Sequence, residues 1–150
     1  MVMKSFRGLI SDGAEITIPL QTNNGSTGYR IVKFQLFPNK PGTVSIESTV
    51  SIFKIPGKGS GTTTAVVDFS DNTLLAAAFY SQHQQADERG EDLSVLFDNE
   101  TFNQDIYITM TETLGTESVN YYIELEQIKL SLDENTVATL KDIRNIAQNE

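Results

Sequence analysis

The sequence contains no cysteine and no tryptophan, and its one histidine is His83. The absence of cysteine excludes thiol catalysis, disulfide bonds and cysteine-bound zinc. A Ser-His-Asp arrangement or a histidine-based metal site would have to be built on His83, which stands in a polar, mostly acidic segment. We therefore expect His83 to be a solvated surface residue.

Basic residues are scarce. The chain has 11 Lys and Arg residues against 20 Asp and Glu residues, which gives a formal net charge of −9. Its arginines, at positions 7, 30, 89 and 144, are scattered through the chain. Nucleic-acid binding requires a clustered basic face that displaces counterions from phosphates. The sequence therefore predicts no nucleic-acid partner.

Long hydrophobic runs are also missing. The first residues, Met1–Arg7, have no apolar core after their charges, and no later segment is long enough to span a bilayer. We expect no signal peptide, no membrane partner and synthesis in the cytoplasm. At 150 residues one domain is sufficient. We place its body at residues 1–132, with a C-terminal helix and tail at residues 133–150.

Alternation of apolar and polar residues is the main pattern in the chain. Asp105–Thr111 places Ile106, Ile108 and Met110 on one face, which is typical of a half-buried strand. About eight short segments of this kind occur at roughly ten-residue spacing, with polar turns between them. They predict an all-β fold, a two-sheet antiparallel β-sandwich. A jelly-roll-like arrangement is preferred to an immunoglobulin-like one, because the Cys and Trp of antibody-type domains are both absent.

Three segments carry more specific predictions. Ala14–Gln21 is predicted as an edge strand or a strand end, because Pro19 cannot donate a hydrogen bond to a ladder. A strand is also predicted over Thr63–Phe69. The alanines of Thr73–Gln82 favour a helix, but its shortness and its position between strands favour a buried strand, which we predict.

The last alternating segment, Asn120–Leu132, contains an irregularity. Its apolar parity slips between Leu125 and Ile128. We interpret the slip as a β-bulge or a change of partner sheet.

The hydrophobic period changes at Ser131. Val137, Leu140 and Ile143 follow at helical spacing, and Ser131–Glu134 has the Ser-x-x-Glu form of a capping box. A short C-terminal amphipathic helix is predicted. Its apolar stripe either packs back on the sandwich or docks on a neighbouring subunit. The candidate partner-contact residues are Phe6, Leu9, Val137, Leu140 and Ile143.

Acidic residues are the remaining chemical groups of interest. Carboxylates occur in pairs, but a glycosidase needs two of them in one cleft at a fixed separation. Asp68–Asn72 and Asp98–Glu100 could offer oxygen ligands to calcium, although neither matches the twelve-residue calcium loop. Asp and Asn more commonly form turns through local hydrogen bonds. We therefore expect no cofactor and no enzymatic activity.

Several strand segments resemble the small virion structural proteins of marine tailed bacteriophages. The segments that carry the resemblance are Phe97–Glu100, Asn103–Thr109, Asn120–Glu126, Phe6–Ile10 and Thr27–Phe34. The resemblance covers most of the chain, except residues 55–64 and 82–92. It rests on structural strands rather than on catalytic motifs.

The resemblance implies a place in the virus particle. We expect a capsid decoration, or cement, protein that binds the major capsid protein on the outer surface of the head, as a trimer around local symmetry axes. The net negative charge favours the outside of a DNA-filled particle. The alternative is a tail, neck or fibre component, or a host-surface module that binds glycans through its loops.

Overall fold

A computed structural model of the chain describes residues 2–21, 26–58, 66–83 and 91–131. The described residues form β-strands joined by turns and extended connections, with no helix among them. The strands are β1 (Val2–Ile10), β2 (Glu15–Ile18), β3 (Thr27–Pro38), β4 (Ile46–Phe53), β5 (Leu74–Gln82), β6 (Glu91–Phe97), β7 (Ile106–Glu112) and β8 (Val119–Lys129).

The strands form two antiparallel sheets, so the predicted sandwich is confirmed. One sheet has the order β1-β8-β3 and the other has the order β2-β7-β4-β5-β6. An eight-stranded jelly roll has the orders 1-8-3-6 and 2-7-4-5. Seven strands here occupy jelly-roll positions. The exception is β6, which extends the larger sheet by pairing with β5 instead of crossing to β3.

The core lies between the inner faces of the two sheets. Apolar residues of β3 and β8 meet those of β4, β5 and β7. The ring of Tyr29 lies 6.5 Å from that of Phe102, and the backbones of these two residues form an isolated bridge. This bridge ties the connection between β6 and β7 to β3. The largest fully buried side chains are Phe34, Phe102, Ile10, Ile46, Ile52, Ile106, Ile108, Met110, Ile123, Leu125, Val50 and Val119.

Two strand predictions are confirmed by their place in the sheets. Thr73–Gln82 contains β5, whose alanines fit a strand that is buried between β4 and β6. The second strand, β2, is at the edge of its sheet and ends at Ile18, immediately before Pro19. Packing against β4 and β6 favours a strand over a helix for the alanines of β5. The missing N–H of Pro19 explains why β2 ends at Ile18.

The bulge predicted in β8 is wrong. Both partners of β8 stay with it across the region of the slip, and the register shift lies in β3 between Ile31 and Lys33. Val32 is the inserted residue, opposite the step from Leu125 to Glu124. Because β8 is the central strand, the extra residue is accommodated in an edge strand.

Two further predictions need correction. The face of β7 that was expected to be solvated is covered, since Thr109 and Thr111 are buried between β2 and β4. Residues 66–69 of the strand predicted over Thr63–Phe69 are not in a strand, and a turn begins at Phe69. The predicted C-terminal helix lies outside the described residues.

Candidate functional site

The predicted contact residues of the N-terminal strand lie on opposite faces of β1. Phe6 is opposite Ile123 and is half-buried against the core. Leu9 is on the outer face and is 49% exposed. The predicted contact residues Val137, Leu140 and Ile143 lie outside the described part of the chain. The structure therefore leaves Leu9, rather than Phe6, available to a partner.

A cluster of exposed hydrophobic side chains covers the outer face of the five-stranded sheet. We call it the apolar surface. Phe79 and Leu96 come from β5 and β6, while Val67 and Phe69 come from the connection that precedes β5. Phe69 is 68% exposed and Leu96 is 56% exposed. The sequence reasoning assigned residues 66–69 to a strand, and so it missed this surface.

The apolar surface encloses a groove of about 560 Å³. Its floor consists of small side chains, Thr49 and Ala77, beside the larger Phe79. In the strand register Thr49 pairs with Phe79, and Ala77 pairs with Leu96. This alternation of small and large residues across neighbouring strands gives the sheet face its depression.

Local hydrogen bonds hold the connection that carries Phe69. The Asp68 carboxylate accepts hydrogen bonds from the Ser70 backbone N at 2.9 Å and the Ser70 hydroxyl at 2.6 Å. These bonds lower the pKa of Asp68. Asp71 accepts the same pair of bonds from Thr73 and forms an ion pair of 3.0 Å with Lys58. The turn interpretation of Asp68–Asn72 is therefore supported.

The segment after β6 is fixed by a buried ion pair. Lys54 Nζ lies 2.8 Å from Glu100 Oε1, and the two side chains are 2% and 19% exposed. The Asp98 backbone N also donates to Leu75 O at 2.9 Å. Together with the Tyr29 bridge, these contacts hold the end of β6 against β5, and so they position Leu96.

The outer face of the three-stranded sheet carries a second groove, of about 480 Å³. We call it the polar-aromatic groove. The strand register arranges its outward side chains in two adjacent rows across β1, β8 and β3. The rows are Leu9, Asn120 and Phe37, and Arg7, Tyr122 and Gln35.

Two basic side chains, Arg7 and Lys33, and the carboxylate of Glu124 lie around Tyr122 in the polar-aromatic groove. Lys33 Nζ lies 5.6 Å from the centre of the Tyr122 ring. The Tyr122 hydroxyl donates to Glu124 Oε1 at 2.7 Å, and this bond raises the pKa of Tyr122. Arg7 is exposed, and within the described ranges no carboxylate lies at ion-pair distance from it. A basic side chain thus faces solvent on a chain of net charge −9.

His83 lies at the protein surface, where 31% of its side chain is exposed. Its Nε2 lies 3.4 Å from Ser81 Oγ and 3.7 Å from Glu47 Oε1. A catalytic triad places the nucleophile and the carboxylate on different ring nitrogens. Here both partners approach Nε2, so the three residues are not arranged as a triad.

Among the residues that the structure describes, no group of three or more His, Cys, Asp or Glu side chains could hold a metal ion. No helix within those residues is long and apolar enough to cross a membrane.

The carboxylate of Glu112 is buried, but it accepts hydrogen bonds from Glu47 N, Ser48 Oγ and Leu114 N. These three hydrogen bonds satisfy the buried carboxylate, so a structural role explains Glu112.

Comparison of the sequence with protein-family models gives no match, and comparison with curated proteins gives none either.

Proposed function

We propose that this protein is a non-enzymatic structural component of a tailed-phage virion that decorates the outside of the head. In this proposal the apolar surface docks on the major capsid protein and reinforces contacts between shell subunits. The observation that carries the proposal is the exposure of Phe69 and Leu96 around one groove over the larger sheet. Exposed patches of this kind mark interaction surfaces in soluble proteins.

The rim of the apolar surface indicates the kind of partner it fits. Asp68 is exposed beside Phe69, and Asp98 is exposed two residues after Leu96. An apolar centre with acidic neighbours complements a partner patch that is apolar in the middle and basic at its edge. The position of the connection also matters, because the Ser70 and Thr73 hydrogen bonds hold Phe69 in place before docking.

Two features of the whole chain support the location. The strand segments that resemble virion structural proteins, such as Asn103–Thr109 and Asn120–Glu126, form the interior strands β7 and β8. The net charge of −9 disfavours contact with packaged DNA and favours the outer surface. The proposed assembly is a trimer, since closed rotational symmetry matches the local axes of a shell.

The proposal is tested by binding the purified protein to empty heads of the phage that encodes it. Phe69→Ser and Leu96→Ser remove exposed apolar groups, so we expect the double variant to fold normally and to bind heads roughly 100-fold more weakly. Phe37→Ser is the matched control, because Phe37 is equally exposed on the opposite sheet. Cosedimentation with heads measures the binding.

Either of two results would contradict the proposal. The first is that the wild-type protein has no affinity for heads. The second is that the Phe69→Ser and Leu96→Ser double variant binds heads as well as wild type does, while the Phe37→Ser variant does not.

A tail, neck or fibre location, with glycan binding at the host surface, is the second candidate. The observation that favours it is the polar-aromatic groove, which offers aromatic and amide side chains to solvent. A tail component would be present in few copies per particle, whereas a head decoration protein would approach the number of shell subunits.

A further inference from the structure

We propose that the polar-aromatic groove binds an acidic oligosaccharide, with Arg7 holding a uronic-acid carboxylate and Phe37 stacking on a sugar ring. The two outer sheet faces lie on opposite sides of a sandwich. A protein docked through the apolar surface would therefore present this groove outward. The inference goes beyond head decoration and does not depend on it, because it concerns a separate face with its own ligand.

The shape of the groove fits a sugar ring. Leu9 and Phe37 belong to the strands on either side of β8, so their Cα atoms are about 10 Å apart, twice the spacing of neighbouring strands. Between them stands the shorter Asn120, which is half-buried. Leu9 is 49% exposed and Phe37 is 64% exposed, so two apolar walls rise from an amide floor.

The polarity of the groove also fits a saccharide. A sugar ring presents C–H groups on its faces and hydroxyl groups around its edge. The Phe37 ring can pack on such a face, and the amides of Asn120 and Gln35 can each donate to and accept from hydroxyls. Ligand sites typically combine apolar walls with a few convergent polar groups in this way, at volumes that include the 480 Å³ found here.

The charge of the groove selects an acidic sugar. The Arg7 guanidinium has no carboxylate at ion-pair distance within the described ranges, and Lys33 adds a second positive charge beside Tyr122. Glu124 is opposite Lys33 in the strand register, so the two charges offset each other, and Arg7 is the cation that is left to attract a carboxylate. A planar guanidinium binds a carboxylate through two parallel hydrogen bonds.

A small ligand explains the surface better than a second protein does. Stable protein interfaces bury about 800 Å² on each partner. The groove is confined to two rows of side chains. The next outward row pairs Lys33 with Glu124, and in the row after it Arg30 is paired with Glu126. The available recognition groups are thus those of a site for one or two sugar rings.

The test is a titration of the full-length protein with uronic-acid oligosaccharides derived from pectin, alginate and hyaluronan. Their neutral counterparts and an acidic peptide serve as comparison probes. Backbone amide shifts in NMR locate the binding, and calorimetry gives its affinity. We expect shifts at Arg7, Leu9, Phe37 and Asn120, and a preference for at least one acidic saccharide over its neutral counterpart.

Variants separate the groove from nonspecific attraction. Arg7→Gln is expected to weaken binding of the acidic saccharide at least tenfold, whereas the matched charge control Lys129→Gln, at the far end of β8, leaves it unchanged. Phe37→Ala is expected to weaken it similarly, with Phe69→Ala as the control in the connection over the other sheet.

Three results would overturn the inference. The first is that no acidic saccharide binds. The second is that the Arg7→Gln and Phe37→Ala variants bind the acidic saccharide as tightly as wild type does. The third is that only the acidic peptide binds. Loss of head binding in the Phe69 and Leu96 variants would leave this test unaffected, so the two proposals fail separately.

Discussion

Replacing Glu100 by Ala should destabilise the protein more than any exposed charge substitution, because it removes the carboxylate that faces a buried ammonium group. Lys54 is 2% exposed and its Nζ lies 2.8 Å from Glu100 Oε1. Breaking a buried ion pair by removing one partner costs about 3–5 kcal/mol. Glu100 is itself 19% exposed, so water can partly replace it, and the lower end of that range, about 3 kcal/mol, is expected. In a domain of this size the loss corresponds to about 6–12 °C in Tm.

A double-mutant cycle distinguishes this explanation from a general loss of packing. Lys54→Met combined with Glu100→Leu replaces the pair by apolar groups and should lie within about 1 kcal/mol of wild type. Glu117→Ala is the control, since the Lys40–Glu117 pair is largely exposed and should contribute less than about 1 kcal/mol. Because the chain has no tryptophan, urea unfolding is followed by circular dichroism. The reasoning is refuted if Glu100→Ala costs less than the control, or if the separate effects of Lys54→Met and Glu100→Leu simply add in the double variant.

The remaining predictions concern other buried or strained groups. Glu112→Ala should cost about 2–4 kcal/mol in urea unfolding, because three hydrogen-bond donors lose their acceptor; a neutral result would mean that water replaces it. Gly28→Ala should cost about 1–3 kcal/mol, since a Cβ would lie 3.0 Å from the Leu130 and Thr101 side chains; unchanged stability would show that both can move aside. For Asp71, burial alone would raise the pKa, but hydrogen bonds from Thr73 and the charge of Lys58 lower it below 3.8. Because the pKa is lowered in the folded protein, Asp71 contributes stability above pH 3.8, and this stability is lost as the pH falls through the folded pKa. The unfolding free energies of wild type and Asp71→Asn should therefore converge once the pH is below the folded pKa. A difference in unfolding free energy between the two proteins that stays constant in acid would contradict the lowered pKa.

The sandwich itself could be predicted because its signals are local. The alternation of Ile106, Ile108 and Met110 places one face of β7 in the core whatever its partners are. Pro19 marks the end of an edge strand for a similarly local reason. The alanines of β5 gave an ambiguous signal, which only the neighbouring strands β4 and β6 resolve.

The errors came from features that depend on pairing. The slip after Leu125 is visible in β8, but the bulge lies at Val32 in the strand beside it. Thr109 was expected to be exposed, yet it is covered by neighbouring strands that periodicity does not reveal.

The two candidate surfaces were the hardest features to predict, since they join distant parts of the chain. Phe69 and Leu96 are separated in sequence, and the alternation around Phe69 indicated a strand instead of an exposed connection. Leu9 was proposed as a contact candidate and is exposed, but its neighbours Phe37 and Asn120 follow only from the register of β3 and β8. The Lys54–Glu100 pair likewise has no sequence signature.

The most direct test of the head-decoration account is the number of copies of this chain in each purified phage particle. Quantitative mass spectrometry against the major capsid protein gives that ratio. The account predicts a value near one copy per shell subunit. A ratio of a few per cent would place the chain in the tail or neck instead, and its absence from particles would contradict a virion role altogether.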